Sequence, residues 1–318
     1  MNQNEQTIAA AQQAVADAPQ DDKLYVELGM AYFDAGRLEE AAAAFQQALE
    51  LNPQSAPAYN GIGRVRYHTG PPAAAIAAYA EAIRLDPHYI APVFGLGILY
   101  SARLGQYEKA VAAFEAGLHH NPEDAFLTAT LGSTYARMGR FDEALAALQQ
   151  AQNLDPASAY VQDWLAILYM HDKRYDEAVT ACQREIELAD AHSPHRLLGL
   201  IYAHRGETAA AIAELEQAIA LKAEDYEARA ALGKLYLDAG RHQEANEALA
   251  LAQAHAEADH AEYGLACVAA VSGDVERALV LLETALAKGL IQLGWVRIDP
   301  EFAFMQDNPR FQELIIER

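Results

Sequence analysis

The chain has 318 residues and a formal net charge of −22, from 45 acidic and 23 basic residues. A nucleic-acid-binding protein needs a basic face to neutralise phosphates, and this composition supplies none, so we expect no nucleic-acid partner. Hydrophobic residues make up 52% of the chain and occur along its whole length, which predicts a chain that is folded throughout. The excess acid serves solubility or, alternatively, attracts a basic or amphipathic partner.

Several features favour the cytoplasm. The first twenty residues, MNQNEQTIAAAQQAVADAPQ, lack the basic and apolar regions of a signal peptide. No stretch approaches the length of a membrane span, so we expect no membrane insertion. Cys182 and Cys267 are isolated in the sequence, which favours a reducing compartment. The use of 17 Arg against 6 Lys is compatible with a GC-rich bacterial genome.

Residues 1–21 are predicted to form a capping half-repeat, a helix whose partner helix is missing. Pro19 precedes Pro53 by 34 residues, the period of the units that follow. One role is an N-terminal cap on the first full unit. The alternative is that this helix docks in the groove of another copy, which would make the chain a self-assembling scaffold and a homo-oligomer of rings or filaments.

The stretch 22–55 sets the pattern for most of the chain. Counted from 1 within the unit, positions 4, 7, 8, 11, 15, 20, 24, 27 and 32 hold Tyr25, Leu28, Gly29, Tyr32, Gly36, Ala41, Phe45, Ala48 and Pro53. The pattern recurs in eight units, at 22–55, 56–89, 90–124, 125–158, 159–191, 192–225, 226–258 and 259–292. Small residues at positions 8 and 20 predict two helices that cross closely, joined by a glycine turn near position 15.

Three departures from the pattern stand out. The third unit has one extra residue before its second helix, in SARLGQYEKA. Lys173 occupies the turn position where seven units have glycine. Glu185 occupies position 27, where the other seven units have alanine or glycine.

The segment 293–318 is predicted to be a C-terminal cap. Asp299-Pro300 and Asn308-Pro309 each read as a helix N-cap followed by proline at the first helical position. Trp295, Phe302, Met305, Phe311 and Leu314 can then cover the exposed face of the last unit.

The recurring positions resemble the tetratricopeptide repeat family, over residues 1 to about 292, and the DPEF and NPRF tail resembles the segment that follows the last repeat in many bacterial members. The resemblance implies an all-α fold, a right-handed superhelical α-solenoid of antiparallel helix pairs. It also implies a concave groove lined by first helices, where family members bind peptide segments or partner helices. The family is a scaffold class, so the resemblance by itself implies only an interaction protein.

The groove residues follow from inward-facing positions 2, 5, 9, 12 and 13 of the family's first helices. The candidate partner-binding residues are Met30, Phe33, Asn60, Arg64, Tyr67, Phe94, Ile98, Phe126, Asp163, Ile167, Met170, Arg196 and Leu200. No three consecutive units carry the lysine and asparagine set with which chaperone-binding members bind a C-terminal carboxylate. The apolar lining suits a protein or peptide with apolar anchors, either an amphipathic helix or an extended segment. The alternative is that these side chains only pack against neighbouring helices.

The sequence lacks the common short motifs for catalysis and cofactor binding. The sequence has no HExxH, CxxC, GxxxxGK[ST] or GxSxG. We therefore expect no metal, no cofactor and no enzymatic activity. Cys267 could line the groove, which makes it the candidate reactive thiol. The sequence favours a non-catalytic adaptor, with the self-assembling scaffold, or a regulatory subunit of a separate enzyme, as alternatives.

Overall fold

A computed structural model describes residues 3–189, 191–259, 261–291 and 293–316. Within these ranges every regular element is a helix and no strand is present. The chain divides into two compact units, unit 1 (Met1–Leu127) and unit 2 (Thr128–Arg318), each a stack of antiparallel helix pairs. Helix α8 runs through the boundary between them.

Unit 1 contains a single N-terminal helix followed by three helix pairs. Its helices are α1 (Gln3–Asp17), α2 (Asp22–Asp34), α3 (Leu38–Leu51), α4 (Ala56–Thr69), α5 (Pro72–Leu85), α6 (Ile90–Ile98) and α7 (Tyr107–His120). Helix α6 continues into a π-helical turn, Leu99–Arg103. The helix at the boundary is α8 (Ala125–Arg137).

Unit 2 continues the pairs and ends in shorter helices. Its helices are α9 (Phe141–Leu154), α10 (Ala159–His171), α11 (Tyr175–Leu188), α12 (His192–His204), α13 (Thr208–Leu221), α14 (Tyr226–Asp238), α15 (His242–Ala258), α16 (Glu262–Val271), α17 (Val275–Ala287), α18 (Leu293–Val296) and α19 (Pro309–Ile316). A 3-10 helix, Pro300–Met305, lies between the last two. Residues 293–316 are called the C-terminal segment below.

Small side chains let the two helices of each pair approach closely. The position-20 alanine is fully buried in every pair, at Ala41, Ala75, Ala110, Ala144, Ala178, Ala211, Ala245 and Ala278. A Cβ added at Gly29 would lie 2.6 Å from Cε1 of Phe45, so no larger residue fits there without displacing the ring. The spacing of small residues in the sequence thus sets the distance between helices.

The turn between helices uses left-handed backbone in most pairs. Glycines take this conformation with φ between 63° and 77° in five of them, for example 75° at Gly36, and 86° in the last pair at Gly273. Lys173 takes the same conformation with φ 58°. Gly70 was expected to do so and does not: its φ is −121°, because Pro71 follows it and disfavours helical backbone in the preceding residue.

The extra residue of the third unit is absorbed inside a helix. The backbone of α6 widens into the π-helical turn, which accommodates one residue more than an α-helical turn. The amide of Gln106 then donates to the carbonyl oxygen of Tyr100 at 2.7 Å and closes the connection to α7.

Helix α1 covers the first helix pair. Ile8 is 2% exposed and packs in a core with Leu28, Tyr32 and Phe45. Nε2 of Gln12 donates to the hydroxyl of Tyr32 at 2.8 Å. The apolar face of α1 is therefore covered within its own chain.

Candidate partner-binding groove

The unit 1 groove is a concave site of about 400 Å³ on the first helices of three consecutive pairs. It brings together seven of the predicted residues: Met30, Phe33, Asn60, Arg64, Tyr67, Phe94 and Ile98. Six of them are half-buried and Asn60 is buried. His68, Tyr79 and Tyr89 also line the site. The apolar and aromatic side chains of the lining thus remain in part accessible to a ligand.

Arg64 is held in the middle of this groove. Its guanidinium carbon lies 4.0 Å from the ring centroid of Phe33, a cation–π contact. Nη1 lies 3.0 Å from the sulfur of Met30, and Nη2 lies 3.7 Å from Oδ1 of Asp34. The side chain is 31% exposed, so the cation is oriented by its neighbours and open to the groove.

Asn60 forms the polar floor of the site. It is 4% exposed, and Nδ2 donates to the hydroxyl of Tyr89 at 3.2 Å. Its Oδ1 has no hydrogen-bond partner among the described residues. Burial raises the pKa of Tyr89, and the hydrogen bond from Asn60 opposes that shift. The floor of the groove therefore contains one hydrogen-bond acceptor, Oδ1 of Asn60, that the described residues leave unpaired.

Phe94 of the groove lining contacts a second phenylalanine, Phe126 on α8. The rings of Phe94 and Phe126 are 5.1 Å apart and tilted by 45°. Phe126 is 52% exposed, among the most exposed large hydrophobic side chains in the described part of the chain. Such exposure is typical of aromatic residues that contact partners.

The remaining predicted residues lie in unit 2 and in a different environment. Ile167, Met170 and Leu200 are buried, at 6%, 4% and 2% exposure. Asp163 and Arg196 are half-buried. Burial raises the pKa of Asp163, and the charge of Arg196 opposes that shift. The inward-facing positions of unit 2 are thus covered.

The C-terminal segment lies against part of this face, beside Ile167, Met170 and Arg196. The rings of Trp164 on α10 and Trp295 on α18 meet edge to face at 5.7 Å, and the guanidinium of Arg137 lies over both, at 5.3 and 5.0 Å. Gly294 lies so close to the carbonyl of Arg137 that a Cβ at this position would collide with it. A cavity of about 360 Å³ remains beside the segment, lined in part by Ile167 and Pro300.

An ion cluster fixes the middle of the segment. Arg196 forms an ion pair with Glu301 of the segment, and its Nη1 lies 3.2 Å from Glu227 on α14. Asp225 lies 3.9 Å from the same guanidinium and accepts the amide of Ala228 at 2.9 Å as the N-cap of α14. An inward-facing arginine therefore receives a carboxylate from a segment lying in the groove.

The acid Asp299 in this cluster has a raised pKa. Burial raises its pKa to about 7, and the charge of Glu227 adds to the shift, while a hydrogen bond from Tyr263 and the charge of Arg196 oppose it. Oδ1 caps the 3-10 helix by accepting the amide of Glu301 at 3.0 Å, and Oδ2 accepts from the hydroxyl of Tyr263.

The same segment also completes the core of the last pair. Phe302, Met305 and Phe311 are fully or almost fully buried against α16 and α17. Cys267 lies in this core at 0% exposure, and burial raises the pKa of its thiol well above the usual value. The expectation that Cys267 lines an accessible groove was therefore wrong, because the segment folds over it.

The sequence pattern did not reveal that this segment reaches the groove of unit 2. The sequence indicates only a helix cap at Asp299, and it does not single out Glu301, Trp164 or Tyr263. The available signal was the group of aromatic and acidic residues in GWVRIDPEF, which does not specify the surface that receives it.

No helix in the described part of the chain has both the length and the apolar character needed to cross a bilayer. Nowhere in the described ranges do three His, Cys, Asp or Glu side chains converge closely enough to hold a metal ion.

Two family models match the sequence. Residues 57–268 match the model described as the cilia and flagella-associated protein 70 C-terminal domain, and residues 29–70 match the TPR repeat. The first match covers more than half of the chain. The chain therefore belongs to the tetratricopeptide repeat family, within the group of repeat domains that the first model describes. No curated protein matches the sequence.

Solved structures show the same fold. PilF of Pseudomonas aeruginosa is 19% identical with a TM-score of 0.57, over 64% of this chain and 93% of that chain. A tetratricopeptide repeat protein from Parabacteroides merdae is 21% identical with a TM-score of 0.57, over 74% and 93%. The Cut9–Hcn1 hetero-tetramer of the APC/C is 17% identical with a TM-score of 0.60, over 88% of this chain and 52% of that chain. This chain thus corresponds to about half of the last one.

Proposed function

We propose that this chain is a non-catalytic protein-interaction scaffold that binds a peptide segment with apolar anchors in the unit 1 groove. The observation that supports the proposal is the set of accessible apolar and aromatic side chains that share one concave site of about 400 Å³. Contiguous accessible apolar surface on a folded protein marks an interaction site. Repeat arrays use concave surfaces of this kind to hold extended partners.

The proposal assigns the two groups of predicted groove residues to different roles. The seven predicted residues of the groove lining, together with Phe126, contact the partner. Ile167, Met170 and Arg196 serve the chain's own C-terminal segment, and Leu200 and Asp163 serve packing within unit 2. The free, buried thiols of Cys182 and Cys267 support a reducing compartment, which we take to be the cytoplasm.

Affinity capture from native lysate with matched baits tests this function. The baits are the wild-type chain, the double variant Ile98→Asp with Phe126→Ser, and the control Val280→Ser, which removes an apolar side chain that is 56% exposed on α17. We expect partners held by the wild type and the control to be lost by the groove variant. If all three baits hold the same set, binding in the unit 1 groove is ruled out.

Two further arms keep the test interpretable. Circular dichroism and thermal unfolding check that the double variant keeps its helices, and Phe126→Ser alone serves if it does not. Catalytic activity of the purified chain on its own would contradict the non-catalytic assignment. An enzyme activity present only with a captured partner would make the chain that enzyme's regulatory subunit.

A further inference from the structure

Unit 2 shows what kind of segment lies against inward-facing positions of these helices. The C-terminal segment places Glu301 on the inward-facing Arg196. The next residue, Phe302, is buried 5.8 Å from the ring of Tyr263. One carboxylate and one adjacent aromatic side chain thus provide a charged contact and an apolar anchor.

The unit 1 groove offers the same combination of groups without an occupant from the described residues. Its lining contains Arg64 and His68 and, among the residues described there, no carboxylate. The sign of the charge in this groove lining is thus opposite to that of the whole chain, which has 45 acidic and 23 basic residues. A groove lining with a cation and no carboxylate favours a ligand that carries negative charge.

Arg64 has the geometry of a receptor for that charge. The ring of Phe33 supports one face of the guanidinium at 4.0 Å. Its polar contacts are the thioether sulfur of Met30 at 3.0 Å and, outside the groove lining, the carboxylate of Asp34 at 3.7 Å, which is 65% exposed. Sulfur is a weak acceptor, and 3.7 Å exceeds hydrogen-bonding distance. A guanidinium fork oriented in this way matches a carboxylate with two parallel hydrogen bonds.

We propose that the unit 1 groove binds a peptide segment in which an acidic side chain stands next to an aromatic or aliphatic anchor. The carboxylate pairs with Arg64, and the anchor lies among Tyr67, Phe94 and Ile98. This inference rests on the proposed function and specifies the partner class of the same site.

Fluorescence anisotropy with synthetic peptides tests the proposal on the full chain. The probe is a labelled peptide with the sequence of residues 295–306, WVRIDPEFAFMQ, which carries the acidic and aromatic pair. A second peptide replaces its Asp and Glu with Asn and Gln, and a third replaces both with Lys. Each is titrated with wild-type chain, Arg64→Gln and Arg66→Gln. Arg66 is the matched control, because it lies exposed on the same helix outside the groove lining.

The expected result is a charge-dependent interaction at one residue. The acidic peptide binds the wild type and Arg66→Gln equally, and neutralising either the peptide or Arg64 weakens binding by about tenfold. The two changes together weaken binding no further than either alone, because they remove the same interaction. The Lys peptide binds more weakly than the neutral one.

Three outcomes would overturn the inference: equal binding of the acidic and Lys peptides, no effect of Arg64→Gln, or no binding of the acidic peptide. The capture experiment separates these outcomes from failure of the proposed function. If Ile98→Asp with Phe126→Ser loses the captured partners and Arg64→Gln keeps them, the groove binds partners and only the acidic partner class is wrong.

Discussion

An arginine placed before the second helix of four pairs contacts two side chains at once. Its guanidinium lies over the position-11 tyrosine, at 4.0 to 4.7 Å, and pairs with a glutamate three residues later. The trios are Tyr32, Arg37 and Glu40; Tyr135, Arg140 and Glu143; Tyr169, Arg174 and Glu177; and Tyr236, Arg241 and Glu244. The recurring tyrosine thus supports the turn between helices as well as the packing.

Glu185 shows the cost of breaking the repeat at one position. The alanine or glycine at this position in the other seven units is buried. Glu185 is 6% exposed, and its Oε2 has no hydrogen-bond partner in the described part of the chain. Burial raises its pKa to about 8, and the charge of Asp163 adds to the shift. The carboxyl group is therefore mostly protonated at neutral pH.

Lys173→Gly is expected to stabilise unit 2. A residue with a side chain is destabilised by about 1–2 kcal/mol in left-handed backbone, and replacement by glycine removes this strain. Because glycine also makes the unfolded state more flexible, it offsets about 0.5–1 kcal/mol of the stabilisation. The net increase in the free energy of unfolding should be about 0.5–1 kcal/mol, measured by urea unfolding.

Gly36→Ala is the matched control. Its φ is 75°, and a Cβ there meets nothing within 4 Å, so strain in the backbone is the only cost. We expect a loss of about 1 kcal/mol. Shifts of the same sign in the two variants would contradict this account of the turn.

At the scale of elements, the π-helical turn and the C-terminal segment have different structural roles. The turn absorbs a one-residue insertion next to Ile98 without ending the helix pair. The segment brings aromatic and acidic side chains to the inward face of unit 2. Both lie beside predicted groove residues, so small changes in these elements alter the surface available for binding.

Docking of the C-terminal segment should weaken as pH rises. Asp299 has a pKa of about 7 when docked, against 3.8 for an ordinary aspartate, so the undocked form loses its proton first. Docking is therefore strongest below about pH 4 and is progressively weakened up to about pH 7, by about 4 kcal/mol in total, an order-of-magnitude figure. Other groups facing Asp299 are Glu227, Tyr263 and Arg196.

Tryptophan fluorescence measures this docking, because the chain's two tryptophans, Trp164 and Trp295, meet at the contact. We expect a red shift between pH 5 and pH 8 that is reduced in Asp299→Asn. Asp307→Asn, an exposed position in the same segment, should leave the shift unchanged. Identical profiles for the wild type and Asp299→Asn would refute the assignment to Asp299.

At the scale of the whole molecule, each unit has a terminal segment that covers apolar surface. Helix α1 buries Ile8 on the first pair of unit 1, and the C-terminal segment buries Phe302 and Phe311 on the last pair of unit 2. Such coverage is the general need of terminal repeats, whose outer faces have no neighbour. Only the C-terminal segment also fills a groove.

Removing either segment should give different results. Without residues 293–318, Ile167 and Met170 lose their cover, so we expect binding of a hydrophobic dye and a fall in Tm of several degrees. Without residues 1–20, the emission of Trp164 and Trp295 should not change, because both lie in unit 2. Light scattering on this second variant tests self-association: an unchanged mass supports capping, and a smaller mass supports assembly through α1.

The fold class and the family followed from the sequence, because small residues at fixed spacing determine how closely neighbouring helices pack. Those contacts are local, and the sequence records them directly. The same positional rule named Arg64, Phe94 and five other residues of the unit 1 groove lining, but not Tyr79 or Tyr89.

Tertiary structure alone decided which inward-facing positions remain accessible. Trp164 meets Trp295 and Arg196 meets Glu301 across more than a hundred residues, and no repeat period encodes such pairs. The burial of Cys267 likewise depends on neighbours that are distant in sequence. The left-handed backbone of Lys173 depends on a turn that overrides the conformational preference of the residue. Local spacing specifies the helix pairs, whereas long-range burial of aromatic and acidic side chains determines which groove is filled.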